Sequence, residues 1–259
     1  EDGNVCTDDP CDAKIGCAGK INNTAKCDDG KPCTENDACD GAGKCAAGAA
    51  LCGGACDPCE DGKTCGGDTD CKSGNCEEKT CTAKPVNGPN ALLINEVDYD
   101  QSGADNAEFV ELYNPSTATV ALKFWTVEHV NGLGGGVLWT ASLADSGVAS
   151  IAGGGYLVLC AQAVCDALPE GVPFVALPGS LQNGAPDGVR LMFDGKRIDG
   201  VAYEGTMAGV GEGGAGPDDS GDGSIARCPN GANTDDNGAD FKTTSVSTPG
   251  LPNLCVFPS

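Results

Sequence analysis

Leu92-Leu93-Ile94-Asn95-Glu96-Val97, followed by Glu108-Phe109-Val110-Glu111-Leu112-Tyr113, decides how this chain of 259 residues folds. Both are short apolar runs with polar residues set at period two, and turn-forming Asn, Asp and Gly flank them, which is the pattern of a strand in a half-buried sheet. The texture continues through Val120–Val127, Val137–Trp139, Tyr156–Ala161, Pro173–Leu177, Gly188–Phe193, Arg197–Tyr203, Ser224–Arg227 and Asp240–Thr244. No helical periodicity persists for ten residues. Short strands with turn signals between them predict an all-β domain over 91–259, built as a β-sandwich.

The residues within these strands carry more than a pattern. Leu93-Ile-Asn-Glu-Val-Asp-Tyr-Asp-Gln101, Asp105-Asn-Ala-Glu-Phe-Val-Glu-Leu-Tyr-Asn114 and Leu122…Trp125 resemble the opening of a lamin tail domain, an immunoglobulin-like module also widespread in exported bacterial proteins. Ser224-Ile-Ala-Arg227, Asp235-Asp-Asn237…Asp240-Phe241 and Thr248-Pro-Gly-Leu-Pro-Asn253 resemble that family's closing strand pair and terminus, so the resemblance spans about 91–254. It implies an immunoglobulin-like sandwich that binds or attaches rather than catalyses, in proteins that also carry hydrolase domains or surface repeats. Fold alone does not choose among those roles. Trp125 is expected in the core between the sheets, with an exposed ligand platform as the alternative. Asn95 is expected to close a set of backbone hydrogen bonds, and Glu96 to face solvent on the alternation.

Before this domain the composition changes. Fourteen of the eighteen cysteines lie from Cys6 to Cys81, and the others are Cys160, Cys165, Cys228 and Cys255. Even counts, a single histidine (His129) and one CxxC (Cys56–Cys59) without a second argue for disulfides over a zinc ribbon. Disulfides in turn imply an oxidising compartment. Cys160 with Cys165, and Cys228 with Cys255, are the pairings that proximity and strand topology suggest.

Within the first eighty residues, Cys6-Thr-Asp-Asp-Pro-Cys11 and Cys33-Thr-Glu-Asn-Asp-Ala-Cys39 lie 27 residues apart, and a third unit runs from Cys65 to Cys81 with its own spacing. These units resemble the tandem cysteine-rich repeats of secreted and surface bacterial proteins. The resemblance carries no known chemistry. Residues 1–82 are therefore expected to form a loop-dominated disulfide stalk, with Asp-Gly pairs as turns, and 83–90, holding Pro85, Gly88 and Pro89, to be a linker. Asn22-Asn23-Thr24 fits a glycosylation sequon by pattern alone.

Charge limits the partners. The chain has 38 acidic and 15 basic residues, a net −23 shared by both regions, which repels nucleic acid and anionic lipid and attracts divalent cations. No apolar run reaches membrane-spanning length. The partners expected are copies of the chain itself or other surface proteins.

The strongest chemical pattern is Asp98-x-Asp100-x-Ser102-Gly103 with Asp105 and Glu108 just beyond. Oxygen ligands at alternate positions before a glycine copy the first half of a calcium loop, because alternation aims them at one point and glycine allows the bend. Phe109 occupies the twelfth position, so Glu108 would have to close the site. Asp218-x-Ser220-x-Asp222-Gly223 repeats the half-motif more weakly, with Pro229 at its twelfth position. A solvated acidic turn is the alternative for both.

No catalytic constellation is present. His129 would stand alone, and Gly134–Gly136 and Gly153–Gly155 lack the strand-to-helix context of a phosphate cradle. The function expected is that of an extracellular structural or adhesive protein, with a subunit of a surface fibre or layer as its sharpest form. The alternatives are a non-catalytic targeting region of a secreted hydrolase and a calcium-dependent binder of glycan or protein.

Overall fold

A computed structural model describes residues 2–14, 16–17, 20–31, 33–83, 91–219, 221 and 223–258. The chain divides into two compact units, Glu1–Val86 and Asn87–Ser259. Residues 84–90 of the expected linker lie outside the described residues, as do Ser220 and Asp222.

The first unit is made of two-residue antiparallel ladders such as Thr7–Asp8 with Ile21–Asn22 and Cys76–Glu77 with Thr80–Cys81. Its buried apolar residues, among those described, are all cysteines: Cys6, Cys39, Cys59, Cys65, Cys71 and Cys81. Seven disulfides take the place of a core, joining Cys6–Cys39, Cys11–Cys17, Cys27–Cys45, Cys33–Cys56, Cys52–Cys59, Cys65–Cys76 and Cys71–Cys81. Cys6 and Cys33, equivalent in the 27-residue alignment, each bond forward, to Cys39 and Cys56. Asp28 receives the Gly30 N–H at 2.8 Å while Gly30 sits at φ +76°, so this Asp-Asp-Gly is a turn.

The second unit is a sandwich. One sheet contains β1 (Leu93–Asp98) and β2 (Phe109–Tyr113); β3 (Val120–Ala121) forms a small pair elsewhere; β4 (Trp125–Asn131) and β5 (Val137–Ser142) belong to the second sheet. Next come β6 (Ser150–Ile151), β7 (Tyr156–Cys160), the helical turn α1 (Gln162–Cys165), β8 (Phe174–Ala176), β9 (Asp187–Phe193) and β10 (Lys196–Tyr203). The chain ends on β11 (Ser224–Arg227), the turn α2 (Asn237–Asp240) and β12 (Phe241–Thr244). The first sheet runs β8-β7-β2-β1-β11-β12 and the second β5-β4-β9-β10, while β3 pairs with β6. All pairings in the unit are antiparallel except β7 with β8.

Ile94, Val97, Val110, Leu112, Leu157 and Leu159 from one sheet meet Trp125, Val127, Val189, Leu191 and Val201 from the other in a single core. Trp125 lies fully inside it. Phe109, Val158, Cys160 and Cys165 form a smaller apolar cluster on the opposite face of the first sheet, roofed by Val164, Leu168 and Val172. Disulfides link Cys160 to Cys165 and Cys228 to Cys255.

The expected solvent-facing position of Glu96 is overturned, because the side chain is fully buried. A register shift between Ile94 and Glu96 leaves Glu96 and Glu111 on the face away from the core, and the terminal segment covers that face. Glu96 accepts from Ser224 Oγ, Thr248 N at 2.9 Å and Thr248 Oγ1 at 2.9 Å. Glu111 accepts from Gly250 N at 2.7 Å and Asn95 Nδ2 at 2.7 Å. Asn253 donates to the carbonyls of Asn95 (3.1 Å) and Arg227 (2.9 Å). Asn95, in addition to this backbone role, accepts from Gly231 N at 3.0 Å. Thr248-Pro-Gly-Leu-Pro-Asn253 thus fastens onto the Asn-Glu of β1, joining the two ends of the domain.

Candidate functional site

Strand register brings one set of strand ends to one pole of the sandwich. Asp98 opposes Phe109, Phe109 opposes Cys160, Asn131 opposes Asp187 and Asp187 opposes Tyr203. The loops leaving these ends, residues 97–108, 178–187, 203–205 and 217–221, meet there. Among their described residues are eight acids and neither lysine nor arginine, whereas Glu212, farther along the last of these connections, pairs with Arg197.

Hydrogen bonds lock the loops together. Tyr99 stacks on Tyr203 with centroids 3.9 Å apart, accepts from Asp219 N at 2.7 Å through its hydroxyl, and gives its own N–H to Asp219 Oδ2 at 3.2 Å. Ser102 N donates to Gly221 O at 2.6 Å. The two half-motifs expected as separate sites are therefore neighbours, and Asp219 is the buried acid between them. Loop 178–187 is held by Leu181 N to Glu108 Oε1 (2.9 Å), Gln182 N to His129 Nε2 (3.3 Å), and Asn183 Nδ2 to Asp100 (3.2 Å) and Asp105 (3.4 Å).

The inner acids are costly to ionise. Asp98, buried and accepting from Gln101 Nε2 at 2.6 Å, is pushed up to about 8, first by burial and then by the charges of Asp219, Glu96 and Asp105. Burial and Asp105 raise Glu108 to about 7. Burial raises Asp219 to about 6 against backbone N–H donors that favour its charge. His129 is buried and lowered to about 4, so it stays neutral beside Tyr203. Ser102, Asp105 and Asp218 are exposed, Asp100 half-buried.

The carboxylates of Asp98, Asp100 and Asp105 are not drawn within 4.8 Å of one another, as those of Asp28, Asp29 and Asp37 are in the first unit. That latter trio is occupied by its own backbone: Asp37 accepts from Gly48 N and Asp29 N, which holds its carboxyl below the usual range. What the polar loops of the sandwich can do chemically is concentrate unneutralised negative charge around partly buried oxygens, a setting for cations or basic groups.

Residues 85–205 match the family model of the Lamin Tail Domain. The lamin tail domain is a non-catalytic immunoglobulin-like module, and the match ends with β10, ahead of the closing strands and the 248–253 fastening. Within it lie Asp98, Asp100, Ser102, Asp105 and Glu108, whereas Asp218 and Asp219 fall beyond it. Comparisons with curated proteins and with solved structures find no match. The alternating oxygen ligands before Gly103 marked Asp98 as a candidate, with Glu108 as the closing ligand. Asp219, Asn183 and Asp187 carried no such signal, because only folding across 55 to 120 residues brings them to that pole.

Proposed function

We propose that this chain is a structural or adhesive component of a bacterial cell exterior, with the disulfide-rich unit carrying an immunoglobulin-like head that binds or assembles. The observation that carries this reading is the cysteine inventory. All eighteen are paired, and the first unit has no other buried apolar residues among those described, so it depends on an oxidising compartment. Among the described residues no helix is long and apolar enough to cross a membrane.

The acidic pole of the head is its contact end for cations, and calcium is the ion whose preference for oxygen ligands and flexible coordination suits Asp98, Asp100, Ser102, Asp105 and Glu108. Eight described acids without a basic partner on the converging loops support this assignment. Fractionating the source cells and imaging native material by electron microscopy tests the reading. Surface-exposed protein in filaments, layers or adhesive contacts is the expected result; protein confined to the cytosol would overturn it.

A further inference from the structure

A β-sheet edge is an open row of hydrogen-bonding groups, and proteins normally blunt it by shortness, charge or cover. Three of the four edges of this sandwich are blunted. β8 is three residues long. β12 is four residues long, carries Lys242 and runs straight into the tail, where Ser245 N donates to Val256 O. β10 is sealed by residues folded over it: Gly216 N donates to Ala202 O at 2.7 Å, Ala202 N donates to Asn237 Oδ1 at 3.2 Å, and Asn237 Nδ2 donates to Gly200 O at 2.9 Å.

β5 has none of these devices. It is six residues long, Val-Leu-Trp-Thr-Ala-Ser, and pairs with β4 on one side only. Among the described residues no turn or loop backbone bond involves Val137–Ala141, and only at its end does Ser142 lead into a helical turn, Leu143–Ser146. Two of its apolar side chains face water, Val137 at 43% and Leu138 at 46% exposure, as does Leu133 at 81% in the hairpin leading to it, while Ala141 joins the core. The side chain of Trp139 is turned the other way, its Nε1 donating to Ser180 O at 3.1 Å. A strand of this length with apolar, uncharged residues is a template for another strand.

Charge indicates which strand. Residues 130–144 contain no charged side chain, in a chain whose net charge is −23. Two copies repel one another over most of their surface, and this strip is where the repulsion is least. We infer that β5 is a self-association edge, on which a second copy's β5 pairs antiparallel about a two-fold axis to join two four-stranded sheets into one of eight strands. Antiparallel self-pairing sets the exposed Leu138 and Thr140 of each copy across from the other's. One strand pair covers less than a standard interface, so the affinity is weak, about micromolar to millimolar. The inference deepens the assembly reading above and rests on it.

The test uses the intact, oxidised chain. Sedimentation equilibrium from about 1 µM to about 1 mM should show a monomer–dimer equilibrium. Because two acidic bodies are being brought together without interfacial ion pairs, raising salt should tighten the dimer, the reverse of a salt-bridged interface. Amide hydrogen exchange should slow with concentration at alternate residues of Val137–Ser142. Leu138→Glu, at an exposed position, should weaken association at least tenfold with the monomer's circular dichroism unchanged. Leu254→Glu, in the exposed apolar tail, should leave association intact. A chain that is monomeric at every concentration and salt, or a dimer indifferent to Leu138→Glu, would overturn the inference. Neither result touches the exterior location, which fractionation tests separately.

Discussion

The two units of this molecule solve the same thermodynamic problem with different chemistry. The sandwich buries a continuous set of aliphatic and aromatic side chains between two sheets and needs only two disulfides. The first unit buries cysteines and holds itself with seven disulfides, which act chiefly by shrinking the unfolded ensemble. One fold is carried by its native contacts, the other by restricting the alternatives to it. The difference teaches that cysteine density and apolar periodicity are complementary signals, each marking where the other is missing.

Reduction should separate the units most sharply. Under mild reductant the first unit loses its order while the sandwich keeps its core, so limited proteolysis should leave a fragment beginning within 84–90. Equal resistance of both units would mean the first has a source of stability besides its cross-links.

The sandwich breaks differently. Arg227, fully buried, pairs with Asp199 at 2.9 Å and Asp240 at 3.0 Å, and Asp199 lies on the opposite sheet. Arg227→Met strands both carboxylates and should cost about 3–5 kcal/mol, lowering the sandwich melting temperature by about 10 °C. Calorimetry would show it. The first unit's proteolysis pattern should not change.

A smaller effect comes from pH. Asp98, Glu108 and Asp219 have folded values near 8, 7 and 6, above their ordinary 3.8, 4.5 and 3.8. The folded state therefore holds protons that the unfolded chain has released. This contribution is present in full below about pH 4 and is lost as pH rises through about 6 to 8. Metal-free sandwich should melt at least about 5 °C lower at pH 8 than at pH 5 on this account. Asp98→Asn should flatten the slope, and an unchanged slope would remove Asp98 from the explanation.

Calcium should act in the same place with a smaller shift. At tenfold excess over its dissociation constant it should raise the sandwich melting temperature by about 4 °C, and Asp100→Asn should remove most of that gain. Melting indifferent to calcium and chelator alike would return these acids to a solvated turn.

Strand pattern alone located most of the sandwich, and its errors have identifiable causes. Val120–Val127 was continuous in the apolar pattern but is split into β3 and β4, because Phe124 takes φ +72° and turns the chain between a small pair and the second sheet. Glu96 lies on the face away from the core because of the register shift after Ile94, and a strand pattern names a face and not what covers it. The cover is a segment 152 residues away. Asp98 and Glu108 were legible from the spacing of oxygen ligands around Gly103, whereas Asp219 required knowing that two acidic loops meet.

Thiol accounting on the native protein tests the central claim directly. Alkylating protein taken from its source, before and after reduction, should label none of the eighteen cysteines in the first case and all of them in the second. Free thiols from Cys6 to Cys81 in native, folded protein would contradict it.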